Sequence, residues 1–396
     1  MNLEAIQQAL RESGFDGWLF FDFHNRDPIS ARILKIDPKR FTSRRWYYFI
    51  PANGEPQRLV HKIEPWKLDH LPGAKHIYLP WEQLHEKIKE IIGTAKIVAM
   101  QYSPFNAIPS ISVADAGTVD LVRSFGVDVV SSADLVSKFE SHLTDADIES
   151  HKRAGALMQE VKDLTFIEIA RRIKADMKPR EVEIQHYMHQ LMAERNLMCE
   201  DGPIVAVNDH AADPHFEPTE ENSVVMKIGD TVLLDLWAKL KEPEAIYYDI
   251  TWMGHIGTEV PENVENYFQI IAKARDAAQQ LVTERFENKQ QIMGWEVDFA
   301  CRNVVKEAGL AEFFSHRTGH NIAEEVHGSG VNMDNLETKD ERIIIPGTCF
   351  SIEPGLYMLD RNLGFRTEID VYITEDGKAE VCGAIQRNVI PILNLI

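Results

Sequence analysis

The chain has 396 residues, 44% of them hydrophobic, and its 42 basic and 62 acidic side chains leave a formal charge of −20. This length exceeds what one hydrophobic core usually supports, so two domains are expected. The negative charge repels the phosphates of nucleic acids and of anionic lipid surfaces, so neither is an expected partner. The acidic excess indicates either a solvated surface or carboxylates gathered to hold cations.

The cysteines and the N-terminal segment predict a folded protein of the reducing cytosol. The four cysteines are scattered without a Cys-x-x-Cys pair, so structural disulfides are not expected. Leu3, Ile6 and Leu10 share one face of a predicted helix, and no basic segment followed by an apolar block suggests a signal peptide. No apolar run is long enough to span a bilayer, so no membrane association is expected.

Residues 1–143 alternate strand-like and helical segments, which predicts an α/β domain with helices packed on a sheet. Aromatic and β-branched runs predict strands at residues 17–23, 44–51, 58–63, 96–102 and 127–132. A helix is predicted between them, ending at Gly93.

The pattern changes near residue 143, where we place the domain boundary. Thr144 and Asp147 form a start that resembles a capping box, and helical periodicity follows for about eight turns. Further helices are predicted at residues 179–196, 264–282 and 294–309, and strands at residues 230–240, 245–254, 347–357 and 364–374. Long helices mixed with strands predict an α+β domain over residues 144–396. No P-loop or G-x-G-x-x-G segment points to a nucleotide cofactor.

Each of those strands carries an acidic residue, although Asp and Glu are depleted in strands and are seldom buried unpaired. The four residues are Asp235, Asp249, Glu353 and Glu368. Because strand side chains alternate between faces, Ser351 would share a face with Glu353. Arg366 would likewise share a face with Glu368 and Asp370. For any one strand taken alone, the alternative is a carboxylate on a solvent-exposed face.

Convergence of the four carboxylates inside a sheet would require positive charge, because each uncompensated buried charge is costly. Two divalent cations would balance them in number, and one imidazole would complete an oxygen-dominated set that suits manganese, cobalt or iron. The segment "HRTGHNIAEEVHG" offers His316 and His320, four residues apart, and His327, seven residues after His320. These spacings alone do not choose between the two pairs.

Five separated segments together resemble the signature of the pita-bread-fold metallopeptidases, which include Xaa-Pro aminopeptidases, prolidases, methionine aminopeptidases and the metal-free creatinases. The segments are "LLDLWAKL", "YYDITWMG", "HRTGHNIAEEVHG", "FSIEPGLY" and "FRTEID". The resemblance is strongest over residues 144–396, and residues 1–143 are similar to the creatinase-like N-terminal domain of the proline-specific members. It implies an α+β fold, with a pita-bread catalytic domain after a smaller α/β domain, and a homodimer.

The resemblance also implies a two-metal site. Its ligands would be Asp235, Asp249, His320, Glu353 and Glu368. Of these, Asp249 and Glu368 would bridge both ions, Asp235 would complete one ion, and His320 and Glu353 would complete the other. Manganese is expected first, with cobalt, zinc or iron as alternatives.

Further residues match positions around the substrate of that family. His327 matches a histidine that contacts the substrate or its tetrahedral intermediate, and His316 matches an extra histidine of proline-specific members that helps to hold the scissile carbonyl. His215 matches an earlier substrate-side histidine, with His210 as the alternative. Arg366 would orient the first aspartate ligand.

The implied activity is hydrolysis of Xaa-Pro bonds in short peptides, by an Xaa-Pro aminopeptidase or an Xaa-Pro dipeptidase. Two neighbouring cations would generate a bridging hydroxide near neutral pH. Glu353 would accept the proton of the water, and His316 or His327 would stabilise the oxyanion. The alternatives are a creatinase-like C–N hydrolase, although creatinases have lost the acidic ligands that this chain keeps, and a non-catalytic binding protein on the same fold.

The chain departs from the family pattern beside its predicted ligands. Trp237 and Ala323 stand where glycines are usual, and the insertion "KEPEA" separates the two aspartates. All ligands are retained, but Trp237 can alter the pocket wall and with it the substrate preference.

Other polar clusters have simpler explanations. His186 and His189, three residues apart, are predicted to lie on a helix surface. For Arg44 and Arg45, a solvated basic edge is preferred over a clamp for a peptide carboxylate across a dimer.

Overall fold

The computed structural model describes residues 1–37, 39–40 and 42–396. The chain separates into two compact units, Met1–Glu140 and Ser141–Ile396. The boundary predicted from the sequence, between residues 143 and 144, lies in the same connection between helices. Each unit has its own hydrophobic core.

The first unit is a mixed sheet with helices on both faces. Its helices are α1 (Leu3–Ser13), α2 (Pro28–Ile33), α3 (Trp81–Ile92), α4 (Ala116–Arg123) and α5 (Ala133–Glu140). Its strands are β1 (Gly17–Asp22), β2 (Trp46–Pro51), β3 (Gln57–His61), β4 (Ala74–Tyr78), β5 (Ile97–Met100) and β6 (Asp128–Ser131). Among the described residues these strands form one sheet in the order β4-β3-β2-β1-β5-β6. The predicted strands are confirmed, whereas α2, α4, α5 and β4 are additional.

Alternation along the strands divides the core of this unit between the two faces of the sheet. Trp18 and Phe20 of β1 pack in a cluster with residues of α1, α2 and α5. Leu19, which lies between them, packs in a second cluster with residues of α3 and α4. Both faces are apolar because helices cover both.

The second unit combines long helices with mostly antiparallel sheets. Its helices are α6 (Asp145–Lys174), α7 (Glu181–Glu194), α8 (Glu262–Glu287) and α9 (Gly294–Glu307). Its strands are β7 (Leu197–Met198), β8 (Ile204–Val207), β9 (Thr231–Leu240), β10 (Tyr248–His255), β11 (Asn321–Ile322), β12 (Cys349–Ile352), β13 (Gly355–Met358), β14 (Leu363–Arg366), β15 (Ile369–Ile373), β16 (Ala379–Cys382) and β17 (Ile390–Pro391). Within the described residues the sheets run β17-β10-β9-β7, with β8 also on β9, then β11-β12-β15-β16, and β13-β14.

The long helix α6 begins at the predicted capping box. The Asp147 carboxylate accepts the backbone N–H of Thr144 at 2.8 Å, and the Thr144 hydroxyl accepts the backbone N–H of Asp147 at 3.3 Å. These bonds satisfy N–H groups that a helix start otherwise leaves unpaired. The helix then continues without a break to Lys174.

Two predicted strands are interrupted where acidic residues lie, so their prediction as continuous strands is wrong. The segment 347–357 splits into β12 and β13 at Glu353 and Pro354, and the segment 364–374 splits into β14 and β15 at Thr367 and Glu368. Pro354 has no N–H to donate to a sheet, which explains the first break.

The second break also corrects the predicted face of Asp370. Its carboxylate accepts the backbone N–H of Asp249 at 2.9 Å, whereas Arg366 and Glu368 line the pocket described below. Alternation does not continue across an interrupted strand, and Asp370 therefore does not share their face. Ser351 and Glu353 do lie on the same side, since the serine hydroxyl donates to the carboxylate at 3.1 Å.

Membrane insertion finds no support in the helices of either unit. Throughout the described ranges, no helix is both long and apolar enough to cross a bilayer.

Candidate metal centre and active site

Two buried aspartates lie on paired strands. The antiparallel register of β9 and β10 places Asp235 opposite Thr251 and Asp249 opposite Trp237, so the two aspartates are diagonal neighbours. Their exposed fractions are only 8% and 6%. This burial rules out the alternative that each carboxylate faces solvent. The inserted residues lie in the connection between the two strands.

Three more side chains reach the same place from the neighbouring sheet. Glu353 follows β12, Glu368 precedes β15 and His320 precedes β11. Together with the two aspartates they line one cavity of about 380 Å³. His320 Nε2 lies 3.2 Å from Glu353 Oε1 and 3.7 Å from Asp249 Oδ2. The structure thus brings all five predicted ligands together.

The carboxylates of this cavity are under strong electrostatic repulsion. Burial, followed by the charge of neighbouring Asp235, raises the pKa of Asp249 well above its ordinary value. Burial and the charge of Asp249 likewise raise the pKa of Glu368 well above its ordinary value. Asp249 Oδ1 and Glu368 Oε1 are buried and have no hydrogen-bond partner within the described part of the chain. Such atoms are costly unless something pairs with them.

The arrangement of these atoms fits a divalent cation. Ligand atoms of Asp249, His320 and Glu368 all lie within 4.8 Å of one another. His320 Nδ1 donates to the carbonyl of Asn321 at 3.3 Å, so Nε2 is the ring nitrogen that faces the carboxylates and can act as a ligand atom. A cation here would supply both the missing partner and the missing positive charge.

A comparison of the sequence with known families decides the class of this protein. The sequence profile of metallopeptidase family M24 matches residues 149–375, which is more than half of the chain. The chain belongs to metallopeptidase family M24. The predicted resemblance to the pita-bread metallopeptidases is thereby confirmed at the level of the family.

Relatives and solved structures agree with membership of family M24. The probable dipeptidase PepE of Mycobacterium tuberculosis is 26% identical over 339 residues, which cover 84% of this chain and 82% of that protein. The crystal structure of dipeptidase PepE from Mycobacterium ulcerans superposes with a TM-score of 0.69 at 22% identity, covering 98% of this chain and 96% of the other. A prolidase from Thermococcus sibiricus superposes with a TM-score of 0.66 at 21% identity, covering 98% and 97%. At these identities the structures show the fold, so the predicted pita-bread architecture is confirmed.

Thr251 connects three groups of this M24 site, a function that sequence reasoning missed. Its hydroxyl lies 3.0 Å from Asp235 Oδ1 and 2.9 Å from Glu368 Oε2, and it accepts Nε–H of Arg366 at 3.0 Å. A hydroxyl has one proton, so it donates to one carboxylate at a time. The alternation that places Thr251 on the face of Asp249 was the available signal.

Arg366 compensates part of the negative charge. Its Nη2 donates to Asp235 Oδ2 in a buried ion pair, and its Nη1 donates to the hydroxyl of Tyr357 at 3.0 Å. All three nitrogens of this guanidinium are therefore engaged. The contact with Asp235 has the geometry expected of a residue that orients this carboxylate.

Glu353 differs electrostatically from the other carboxylates. Burial raises its pKa, but the hydrogen bond and charge of His320, with the charge of Arg366, outweigh burial and lower the pKa below its ordinary value. Glu353 is consequently ionised at neutral pH and can accept a proton.

His327 packs against the predicted metal ligand His320. Their ring centroids are 4.3 Å apart. The charge of His320, together with burial, lowers the pKa of His327 to about 3. His327 is therefore neutral at physiological pH, with one N–H that can donate into the cavity.

His316 also lines the cavity, but both its ring nitrogens are engaged. Nδ1 donates to the carbonyl of Arg317 at 2.7 Å, so Nε2 accepts from the hydroxyl of Tyr357 at 2.6 Å. Burial lowers the pKa of His316 to about 4, so the ring is neutral.

The structure places the two candidates for the substrate-side histidine, His215 and His210, in different surroundings. His215 is exposed and lines the cavity. His210 instead pairs with Glu181 at 2.9 Å and stacks on Phe216. His186 and His189 are exposed on α7, as predicted for a helix surface.

Trp237 forms part of the cavity wall and packs against Gly202. This glycine has φ = 90°, and a Cβ atom built on it would lie 2.3 Å from Cη2 of the indole. The position therefore requires glycine for two reasons, conformation and space. Arg44 and Arg45 line a cavity of the first unit, together with Trp81.

A layer behind the ligands also escaped sequence reasoning. Asp370 accepts the backbone N–H of Asp249 at 2.9 Å, and its carboxylate lies 3.7 Å from Nε2 of the fully buried His151. His151 Nδ1 in turn lies 2.6 Å from the carbonyl of Tyr247. These contacts hold the backbone around Asp249 from the side opposite the cavity.

Thr251→Val is expected to lower the affinity of the metal-stripped protein for Mn²⁺ by about 10- to 100-fold, because partners that orient ligands usually contribute this much. Thr251→Ser, which keeps the hydroxyl, should bind nearly as tightly as the wild type. Isothermal titration calorimetry measures both affinities, and circular dichroism checks that each variant is folded. Unchanged Mn²⁺ affinity in folded Thr251→Val would show that the hydroxyl does not orient the carboxylates.

Proposed function

We propose that the protein is a two-metal peptidase that hydrolyses Xaa-Pro bonds in short peptides. The observation that carries this proposal is the set of buried, mutually repelling carboxylates, including Asp249 and Glu368, that faces His320 in one cavity. Membership of a metallopeptidase family supports peptide bonds as the target. A prolidase of the same fold supports the preference for proline.

We assign the ligands as Asp235, Asp249, His320, Glu353 and Glu368. Asp249 and Glu368 would hold the cations most directly, because each has a buried oxygen without a hydrogen-bond partner in the described ranges. Oxygen donors predominate, so manganese is the first candidate, with cobalt, zinc or iron as alternatives. When bound, two cations supply a polarised substrate carbonyl and a nucleophilic water at neutral pH.

The surrounding residues move protons and stabilise charge. Glu353 is ionised and accepts the proton of the attacking water at its carboxylate. The neutral His327 donates its N–H to the carbonyl oxygen as negative charge develops there. The exposed His215 hydrogen-bonds the substrate on the side of the leaving amine. His316 can contact the carbonyl only if Tyr357 releases its Nε2, and otherwise it positions that hydroxyl.

The preference for proline has a physical basis in the cavity wall. Ile204, Pro214 and Trp237 supply apolar surface on which a pyrrolidine ring can pack. An Xaa-Pro bond has no N–H and therefore needs no acceptor from the protein at that position. The homodimer and the cytosolic location stay predictions.

Metal-stripped protein reconstituted separately with Mn²⁺, Co²⁺ and Zn²⁺ is expected to hydrolyse Xaa-Pro peptides, with Mn²⁺ giving the highest activity. Chromatography of the products from Xaa-Pro dipeptides, Xaa-Pro-Xaa tripeptides and Xaa-Ala controls measures both activity and preference. Equal cleavage of the Xaa-Ala peptides would contradict the preference for proline. No turnover with any metal would favour the non-catalytic binding protein.

Asp249→Ala is expected to abolish tight metal uptake and activity together, because it removes a proposed bridging ligand. Glu380→Ala, which changes an exposed carboxylate, is the matched control and should keep both properties. Metal content is measured after gel filtration, and activity is measured on the same samples. Retained turnover in Asp249→Ala would refute the ligand assignment.

Binding of Mn²⁺ is expected to release protons at pH values above the range in which ordinary carboxyl groups titrate. Burial and neighbouring carboxylates raise the pKa values of Asp249 and Glu368, so the metal-stripped site retains protons that a cation displaces. Because these folded-state pKa values exceed the unfolded ones, the stripped protein loses stability as the pH rises through them. Calorimetry in buffers of different ionisation enthalpy counts the released protons. Proton release confined to the pH range of ordinary carboxyl groups would contradict the raised pKa values.

A further inference from the structure

The first unit contains a cavity of its own, at one edge of its sheet. Strands β1, β3 and β4 run in the same direction. Residues at or just after their C-terminal ends line a cavity of about 1150 Å³, and every residue of its lining belongs to this unit. Ligands of α/β sheets commonly bind outside the C-terminal ends of the strands. The cavity is therefore a candidate binding site.

Three arginines of this cavity have no acidic partner. Arg26, Arg44 and Arg45 line it, and within the described ranges none of the three forms an ion pair. The Arg44 guanidinium donates to Ser43 at 3.1 Å, and that of Arg26 lies 5.5 Å from the ring centre of Phe23. A guanidinium without a counter-ion can bind an oxyanion through two parallel hydrogen bonds.

Two buried carboxylates hold the backbone that carries these arginines. Glu64 accepts the backbone N–H of Ser43 at 2.8 Å and that of Arg44 at 3.2 Å. Asp22 accepts the backbone N–H of Arg26 at 2.7 Å. Both carboxylates thus hydrogen-bond to backbone N–H groups instead of neutralising a guanidinium. The loops that carry the arginines are positioned before a ligand arrives, which lowers the entropic cost of binding.

Two aspartates also line the cavity, but within the described residues neither forms an ion pair with its arginines. Asp115 caps α4, where it accepts the backbone N–H of Thr118 at 2.9 Å and its hydroxyl at 2.7 Å. Asp120 lies on the same helix. The first unit has as many basic as acidic side chains, so the whole formal charge of −20 lies on the second unit. An anion that approaches the first unit therefore meets no excess of negative charge.

A buried histidine presents a hydrogen-bond donor to the cavity. His61 is only 8% exposed and belongs to the lining. Its Nδ1 accepts the backbone N–H of Ile63 at 3.1 Å, so the proton of the ring is on Nε2. In the part of the chain that the structure describes, this N–H has no hydrogen-bond partner. An unpaired buried donor is costly, and an acceptor on a ligand would satisfy it.

Apolar side chains stand beside these donors. Trp81 is 61% exposed and Leu79 is 53% exposed, and both line the cavity together with Phe23. Exposed apolar side chains that lie together indicate a binding surface more strongly than scattered ones do. Aromatic faces next to cationic donors suit a ligand that joins a planar ring to an oxyanion.

We propose that this cavity binds a small organic oxyanion that carries an aromatic ring. The arginines and His61 bind the carboxylate or phosphate group, and Trp81 and Phe23 pack against the ring. The proposal is independent of the peptidase function, because every proposed metal ligand belongs to the second unit. It adds a ligand site to the unit that the proposed chemistry does not use.

Isothermal titration calorimetry of the full-length protein with four probes tests this proposal. Phenylacetate and phenyl phosphate carry both a ring and an anionic group, whereas inorganic phosphate lacks the ring and phenylethanol lacks the charge. At least one aromatic anion is expected to bind about 10-fold or more tightly than either of the other two probes. The tighter aromatic anion identifies the preferred oxyanion. Affinities should be the same in Mn²⁺-loaded and metal-stripped protein.

Substitutions locate the binding site. Arg44→Gln and Arg45→Gln should each weaken binding of the aromatic anion by about 10-fold or more, because each removes charge-assisted hydrogen bonds. Arg44→Lys should restore part of the loss. Trp81→Ala should weaken binding of the aromatic anion but not that of inorganic phosphate. The matched control is Arg123→Gln, which changes an exposed arginine on α4 and should bind as the wild type does.

Three results would overturn the proposal. Affinity that disappears when Mn²⁺ is removed would place the ligand at the metal centre. No detectable binding of either aromatic anion, or equal affinity for all four probes, would show that the cavity does not recognise this class. Unchanged affinity in Arg44→Gln and Arg45→Gln, with circular dichroism showing both folded, would exclude the arginines. Binding that depends on these arginines in a protein without peptidase activity would support this site while refuting the proposed function.

Discussion

Repulsion between buried carboxylates is the constraint on which the second unit depends. Asp235 and Asp249 on paired strands, and Glu368 just before β15, are held in a place where their charges penalise one another. Arg366 offsets only part of this charge. A cation bound among these carboxylates would offset the remaining cost. Metal binding should thus contribute to the stability of the folded state as well as to chemistry.

A continuous chain of hydrogen bonds joins the metal side of the cavity to its substrate side. It runs from Asp235 to Arg366, then through the hydroxyl of Tyr357 to His316, and ends at the carbonyl of Arg317. At each link of this chain one group donates a proton and the other accepts it. The orientation of the Asp235 carboxylate and the position of the His316 ring are therefore coupled through one network.

The sequence predicted which side chains meet in the cavity better than it predicted the backbone that carries them. Alternation assigned each aspartate a face on its own strand, and the capping residues Thr144 and Asp147 located the start of a long helix. The Pro354-Gly355 pair in "SIEPGLY" was a turn signal, and it marked a break that the predicted strand ignored. Thr251 and Tyr357 were missed because alternation assigns a hydroxyl to a face of a strand but does not identify the groups that it will contact. Their importance arises from partners more than a hundred residues away or across a hairpin.

The contact between Gly202 and the indole of Trp237 limits which substitutions can change the wall of this cavity during evolution. Any side chain at position 202 would occupy space that the indole now fills and would displace this part of the cavity wall. Gly202 therefore limits which side chain can occupy position 237, on the strand that carries Asp235. In lineages that descend from this protein, the two positions should change together, with smaller wall residues appearing wherever the glycine is lost.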